Sequence, residues 1–232
     1  MINLRKSDER GGHKIDWLNA KHSFSFGNYY DPRYTGFGNM VVLNEDVIAP
    51  SGGFAEHGHR DMEIVTYVIS GALDHKDSMG NQESIRAGEV QRMSAGSGVR
   101  HSEFNASNTT PCHLFQIWFV PEHAGIKPSY EQKIFSRDEK KDVLKLLVSQ
   151  GAQDGGLDIH SNVEIYASIL GAGKEIRHKA GGRKVWVQLA SGEISVNDQV
   201  LKQGDGLALH EIDGISIKAK VESEFLLISM GK

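Results

Sequence analysis

The sequence is poor in several features, and each shortage excludes something. One cysteine, Cys112, in 232 residues rules out an intrachain disulfide and suits a reducing compartment. There is no basic surplus: 26 Lys plus Arg stand against 30 Asp plus Glu, a formal charge of -4, so little is available to neutralise a phosphate backbone or an anionic membrane. Neither nucleic acid nor membrane is an expected partner. No apolar run reaches the roughly 18 residues of a spanning helix, and the first segment, MINLRKSDERGGHKIDWLNA, lacks the apolar stretch of a secretory signal. The expectation is a cytoplasmic protein. Prolines number only five, whereas glycines number 26 and histidines 11, more histidine than packing requires. With 39% hydrophobic and 24% charged residues the chain has the material for a core. Its length suits one large or two modest domains.

From Gly38 onward the apolar residues fall in short runs broken by glycine and polar clusters, as in Met40–Leu43, Ile64–Ile69, His113–Val120 and Val185–Leu189. That rhythm is all-β. One helix is suggested over Ser136–Leu147, where Ser136 and Glu139 have capping-box spacing and Val143, Leu144 and Leu147 lie three to four apart; Leu144–Ser149 also reads as a strand. Pro121–Ser129, with Gly125 and two prolines, reads as a linker out of the first half.

The two halves resemble each other. HGHRDMEIVTYVISG, from His57 to Gly71, and HKAGGRKVWVQLASG, from His178 to Gly192, span the same number of steps from His to Gly. A turn and a Gly-acid turn follow each, AGEV in one and QGDG in the other. Two related β-domains in tandem explain this pattern, divided at 1–133 and 134–232.

In a strand, His57 and His59 project from one face with about 7 Å between their α-carbons. His101 and Glu103 repeat the spacing after the glycine-rich turn Ser94–Gly98. Two such pairs on neighbouring strands supply three nitrogens and one oxygen, a set that suits iron, manganese, nickel, cobalt, copper or zinc.

These residues resemble a known pattern. HGHRDMEIVTYVISG is similar to the first cupin motif, and GEVQRMSAGSGVRHSEFN, Gly88–Asn105, to the second, with Ser94 where a proline is common. More narrowly, HSFSFGNYYDP at His22–Pro32, HGHRDMEIVTYV, HKDSMGN at His75–Asn81 and MSAGSGVRHSEFN resemble the pirin family from about residue 3 to 135. The resemblance implies a bicupin, two tandem jelly-roll barrels, with one divalent metal in the first. Its ligands would be His57, His59, His101 and Glu103, with iron(II) the first choice and zinc, manganese, nickel, cobalt and copper open. Glu63 sits where many other cupins place a glutamate ligand; pirins use the glutamate after the third histidine, which leaves Glu63 as a partner behind the ligands. In the second half, His178 aligns with His57, but Ala180 with His59 and Lys184 with Glu63. A degenerate, metal-free second barrel is expected.

The implied activity is that of a quercetin 2,3-dioxygenase. A flavonol docks through its 3-hydroxyl, the metal stabilises the flavonolate, and dioxygen opens the heterocycle with release of carbon monoxide. Glu103 is the candidate base, and Phe24, Phe26 and Phe115 are candidate walls for an aromatic substrate. The rival reading from the same resemblance is a regulatory or redox-sensing interaction module without physiological catalysis. A monomer or weak dimer is expected. His75, within the charged run DHKD, reads as part of a solvated loop.

Overall fold

Period-two alternation punctuated by glycines at positive φ, such as Gly71 (φ 78°) and Gly192 (φ 90°), turns most of the chain into antiparallel strands. The computed structural model describes residues 2–210 and 212–231. They form two units, one of Gly11–Ile134 with Leu157–Ser161, the other of Met1–Arg10, Phe135–Gly156 and Asn162–Lys232. Each is a large sheet faced by a four-stranded one, the two-barrel, all-β architecture that the cupin resemblance implies.

In the first unit the large sheet runs Ser129–Ile134, Glu89–Ser94, Glu63–Ser70, Cys112–Phe119, Met40–Ile48, Leu18–His22 and Gly11–Lys14, each strand antiparallel to the next. The small sheet runs Gly53–His59, Val99–Asn105, Ala72–Asp77 and Gln82–Arg86. In the second unit the corresponding small-sheet order is Glu175–Lys179, Gly214–Ala219, Glu193–Val196 and Gln199–Lys202. Its large sheet includes Gly206–Leu209, Lys184–Ser191, Ser223–Met230, Val163–Leu170 and Lys145–Ser149 in that order. Strand for strand this repeats the first unit. The edge beside Gly206–Leu209 is taken by Ile2–Arg5, from the far end of the chain. A single cut after residue 133 therefore does not describe the units, because residues 1–10 and 157–161 each join the unit remote from them in sequence.

Two local expectations need correction. The capping box at Ser136 and Glu139 forms with both hydrogen bonds, yet the helix is one turn, Arg137–Lys140. Lys141 is extended and Asp142 left-handed (φ 57°), which ends the helix; Leu146, Leu147 and Val148 are then buried as part of a strand. Pro121–Ser129 leads to the edge strand of the same sheet rather than out of the unit.

Candidate metal centre

The inner face of the first barrel follows from its register. Across the large sheet, His22, Asn44, Gln116, Thr66 and Gln91 are successive cross-strand partners and so share one face. On the small sheet, His101 pairs with His57 on one side and Asp77 on the other, and Glu103 pairs with His75. A bulge between His101 and Glu103 shifts the register towards Gly53–His59. The polar band lies between two apolar clusters, one including Leu18, Ile48, Leu73 and Leu114, the other Ile64, Met93 and Val99.

Three histidines converge there. His57 Nε2 and His101 Nε2 are 3.0 Å apart, and the rings of His57, His59 and His101 lie 4.5–4.8 Å from one another. His57 Nδ1 is 2.8 Å from the Ala55 carbonyl, which can only accept, so this nitrogen is the donor and Nε2 is the one turned towards His101. His59 Nε2 is buried without a hydrogen-bond partner. Burial, and then the neighbouring His101 and His57, push His59 down to about 4; burial, followed by His57 and His75, pushes His101 down to about 3. Both are neutral near pH 7, as metal ligands must be. Two nitrogens each roughly 2.1 Å from one ion, at a right angle, lie about 3.0 Å apart, so the donor set fits a transition metal.

Glu103, 2% exposed, groups with His101 and His75 as a second potential ligand set, His101 being common to both. Both of its carboxylate oxygens accept from Gln116 Nε2, at 3.1 and 2.9 Å. Gln116 is held in turn, since the Trp118 indole donates to its Oε1 at 3.1 Å and so fixes which end of the amide faces Glu103. Trp118 also meets His59 edge-on at 4.8 Å, and Phe26 meets Trp118 edge-on at 5.5 Å. Of the three phenylalanines expected to line the site, Phe26 alone is half-buried beside Trp118. Phe24 is a core residue. Phe115 lies on the opposite sheet face, one step out of phase with Gln116 and Trp118.

Glu63 also departs from expectation. The backbone turns at Asp61 (φ 49°), so His59 and Glu63 end up on different strands in different sheets. The cross-strand neighbours of Glu63 are Phe119 and Ser94, on the face away from the histidines. Its Oε2 accepts from Ser94 Oγ at 2.9 Å and from the His160 amide at 3.2 Å, while Oε1 is buried without a partner. Burial raises its pKa above the ordinary carboxylate value, against the lowering by these hydrogen bonds and by Arg92.

His75 is not in a solvated loop. It is 1% exposed on a strand whose inward residues are Leu73, His75 and Asp77. Its Nδ1 is 3.5 Å from His101 Nδ1 and its Nε2 3.1 Å from Asp77 Oδ2. Burial alone would raise the Asp77 carboxyl, but hydrogen bonds from Asn81, His75 and Met79 hold it below its ordinary value. Cys112 is buried and pushed up to about 12, first by burial and then by Glu103, which removes it as a nucleophile.

Residues 3–119 match the Pirin family model, and residues 146–230 match a model described as a quercetinase C-terminal cupin domain. The chain belongs to the pirin family. This pirin is 46% identical, over 99% of both chains, to a quercetin 2,3-dioxygenase of Escherichia coli (strain K12). It is 38% identical over 98% of its length to a pirin-like protein of Caulobacter vibrioides, 99% of which is covered. Among solved structures, a bacterial pirin from Escherichia coli in complex with nickel(II) superposes with a TM-score of 0.94 at 45% identity, with 99% of both chains covered. Among the described residues, both groups of three or more potential ligands lie in the first barrel.

Proposed function

We propose that this pirin is a metal-dependent dioxygenase of the quercetin 2,3-dioxygenase type, acting in its first barrel on a flavonol-like substrate. The observation that carries the reading is the facing pair His57 Nε2 and His101 Nε2 beside the buried, unpartnered Nε2 of His59. The name of the full-length Escherichia coli relative supplies the substrate class, and the nickel(II) complex of the similar pirin supports a divalent ion. His57, His59 and His101 hold the ion, with Glu103 as fourth ligand. A divalent ion there supplies Lewis acidity towards a substrate hydroxyl and redox chemistry towards dioxygen. Iron(II) is our choice of native metal.

The chain's own residues do the rest. Trp118 packs beside His59 and Phe26 packs beside Trp118, aromatic surface against which a flat ring can pack. Glu103 takes the proton of the substrate 3-hydroxyl, and Gln116, anchored by Trp118, holds the carboxyl group towards the histidines in both protonation states. Dioxygen then opens the heterocycle and one carbon leaves as carbon monoxide. The second barrel is metal-free. Its His178 has Ile215 as cross-strand partner where His57 has His101.

The test is metal content by inductively coupled plasma mass spectrometry, with loss of the quercetin absorbance band in air. Near-stoichiometric metal with turnover that falls on chelation and in His57→Ala is the expected result. Stoichiometric metal without turnover would overturn the dioxygenase reading in favour of a sensing module, and protein that refuses metal would overturn the site.

A further inference from the structure

A hydrogen-bond chain runs through the site from the Ala55 carbonyl to Asp77. From one end, Ala55 O requires the His57 proton on Nδ1. From the other, Asp77 is an acceptor: its Oδ1 takes the amides of Met79 and Asn81, and its Oδ2 takes Asn81 Nδ2 as well as facing His75 Nε2. His75 therefore donates from Nε2 to Asp77, and its Nδ1 faces His101 Nδ1 at 3.5 Å. His101 turns its other nitrogen, Nε2, towards His57 Nε2 at 3.0 Å. A metal ion held by His101 Nε2 requires that nitrogen bare, which puts the proton of the ring on Nδ1, where His75 accepts it.

We infer that Asp77 and His75 form a positioning relay that sets the His101 tautomer and so presents a bare Nε2 to the metal. The inference rests on the metal site proposed above. His75 touches neither substrate nor reacting atoms; it acts through His101, and Asp77 acts through His75. The relay is built into the strand, because Asp77 is the cross-strand partner of His101 and His75 that of Glu103.

Two substitutions separate acceptor chemistry from packing, since the His75 ring also packs against Tyr130 at 4.9 Å. His75→Asn keeps an acceptor oxygen near the position of Nδ1 and loses the ring. His75→Phe keeps a ring and loses the acceptor. Titrated with cobalt(II) and followed by its visible absorption, His75→Phe is expected to bind about 10- to 100-fold more weakly than the unsubstituted protein, with His75→Asn between them. Equal affinities, or the reverse order expected of a packing role, would overturn the relay. If either variant fails to fold, long-range proton–nitrogen correlation spectra of the unsubstituted, histidine-labelled protein decide. With zinc(II) bound, the protons are expected on His101 Nδ1 and His75 Nε2, and a proton on His75 Nδ1 would overturn the relay. Failure of the unsubstituted protein to take up cobalt(II) would instead sink the metal site, and the His75 proton could still be located in metal-free protein.

Discussion

Gln116→Leu perturbs the site without touching a histidine, and its consequence can be worked from the geometry. The glutamine donates to both oxygens of Glu103 and accepts from Trp118, three contacts of 2.9–3.1 Å. A hydrogen bond to a buried charged group is worth about 1.5–3 kcal/mol and a neutral one about 1 kcal/mol. Leucine fills a similar volume but leaves the carboxylate and the indole N–H without these partners, so metal-free protein should lose about 3–5 kcal/mol. Most of that loss is the penalty on the abandoned carboxylate. It should therefore shrink when Glu103 is also made apolar: the double variant Gln116→Leu, Glu103→Leu is expected to be at least about 2 kcal/mol more stable than the sum of the single effects. Urea denaturation of chelated protein, followed by circular dichroism and tryptophan emission, measures all four corners of the cycle. Additivity within about 0.5 kcal/mol would refute the coupling, and with it the idea that Gln116 is what holds Glu103.

Glu103→Gln should retain metal on three histidines while turnover of quercetin falls about 10²- to 10⁴-fold, the usual range for a lost general base; full activity would remove Glu103 from that role. Phe26→Ala should raise KM for the flavonol more than it lowers kcat, and an unchanged KM would place the substrate elsewhere. For Glu63, whose folded pKa is raised above 4.5 by burial, the unfolded state ionises first as pH rises. Stability then falls through the window above 4.5 and levels off beyond the folded pKa. Glu63→Gln should accordingly gain stability over the unsubstituted protein as pH rises from 4 to 7, measured by urea midpoints, and a difference independent of pH would contradict the buried, partly unpartnered carboxyl. Adding nickel(II) to chelated protein should slow amide exchange in Gly53–His59 and Val99–Asn105 and leave Glu175–Lys179 and Gly214–Ala219 unchanged, because the first pair of strands carries the proposed ligands.

The His-x-His and His-x-Glu spacings were legible because they depend on strand period alone, and His57, His59 and His101 do meet. What lay beyond a single strand was not legible. Glu63 shares parity with His59 along the sequence, but the left-handed turn at Asp61 breaks the strand and sends Glu63 to the far face of another sheet. Phe115 and Gln116 are adjacent in an apolar strand, and composition favoured the ring; parity relative to Trp118 decides which one faces the site. His75 was hidden by its charged neighbours, although Leu73, His75 and Asp77 form the alternation of an inward face. Over Ser136–Leu147 the cap forms but the helix stops after one turn, and the strand reading of Leu144–Ser149 holds, because Leu146–Val148 are buried in a sheet. The exchange of the chain's first residues into the second unit left no local signal, because an edge strand of four residues, INLR, has no pattern of its own.

The two barrels share a strand order but not an interior, and the difference matches the placing of the proposed metal in the first. The row Asn44, Gln116, Thr66 and Gln91 crosses the large sheet of the first barrel. At corresponding pairings the second barrel has Tyr166, Leu227, Val187 and Leu207. Three of those four belong to one continuous apolar cluster, with Tyr166 packed against it, and the cluster also takes in Ile215 and Ile217 from the small sheet. Each such side chain contributes about 1.5–3 kcal/mol on burial. The first barrel gives up part of that gain, leaving Thr66 Oγ1 and both amide atoms of Gln91 buried without partners. A polar interior is costly where nothing occupies it, but an inward carboxylate such as Glu103 needs a polar partner such as Gln116 to stay oriented. Losing the histidines from the second barrel would remove the reason for its polar row, and apolar replacements along Val187, Leu207 and Leu227 would then be stabilising one at a time. The same kind of substitution at Gln116 in the first barrel would strand Glu103, which is why the Gln116 cycle reads more than the packing of the row.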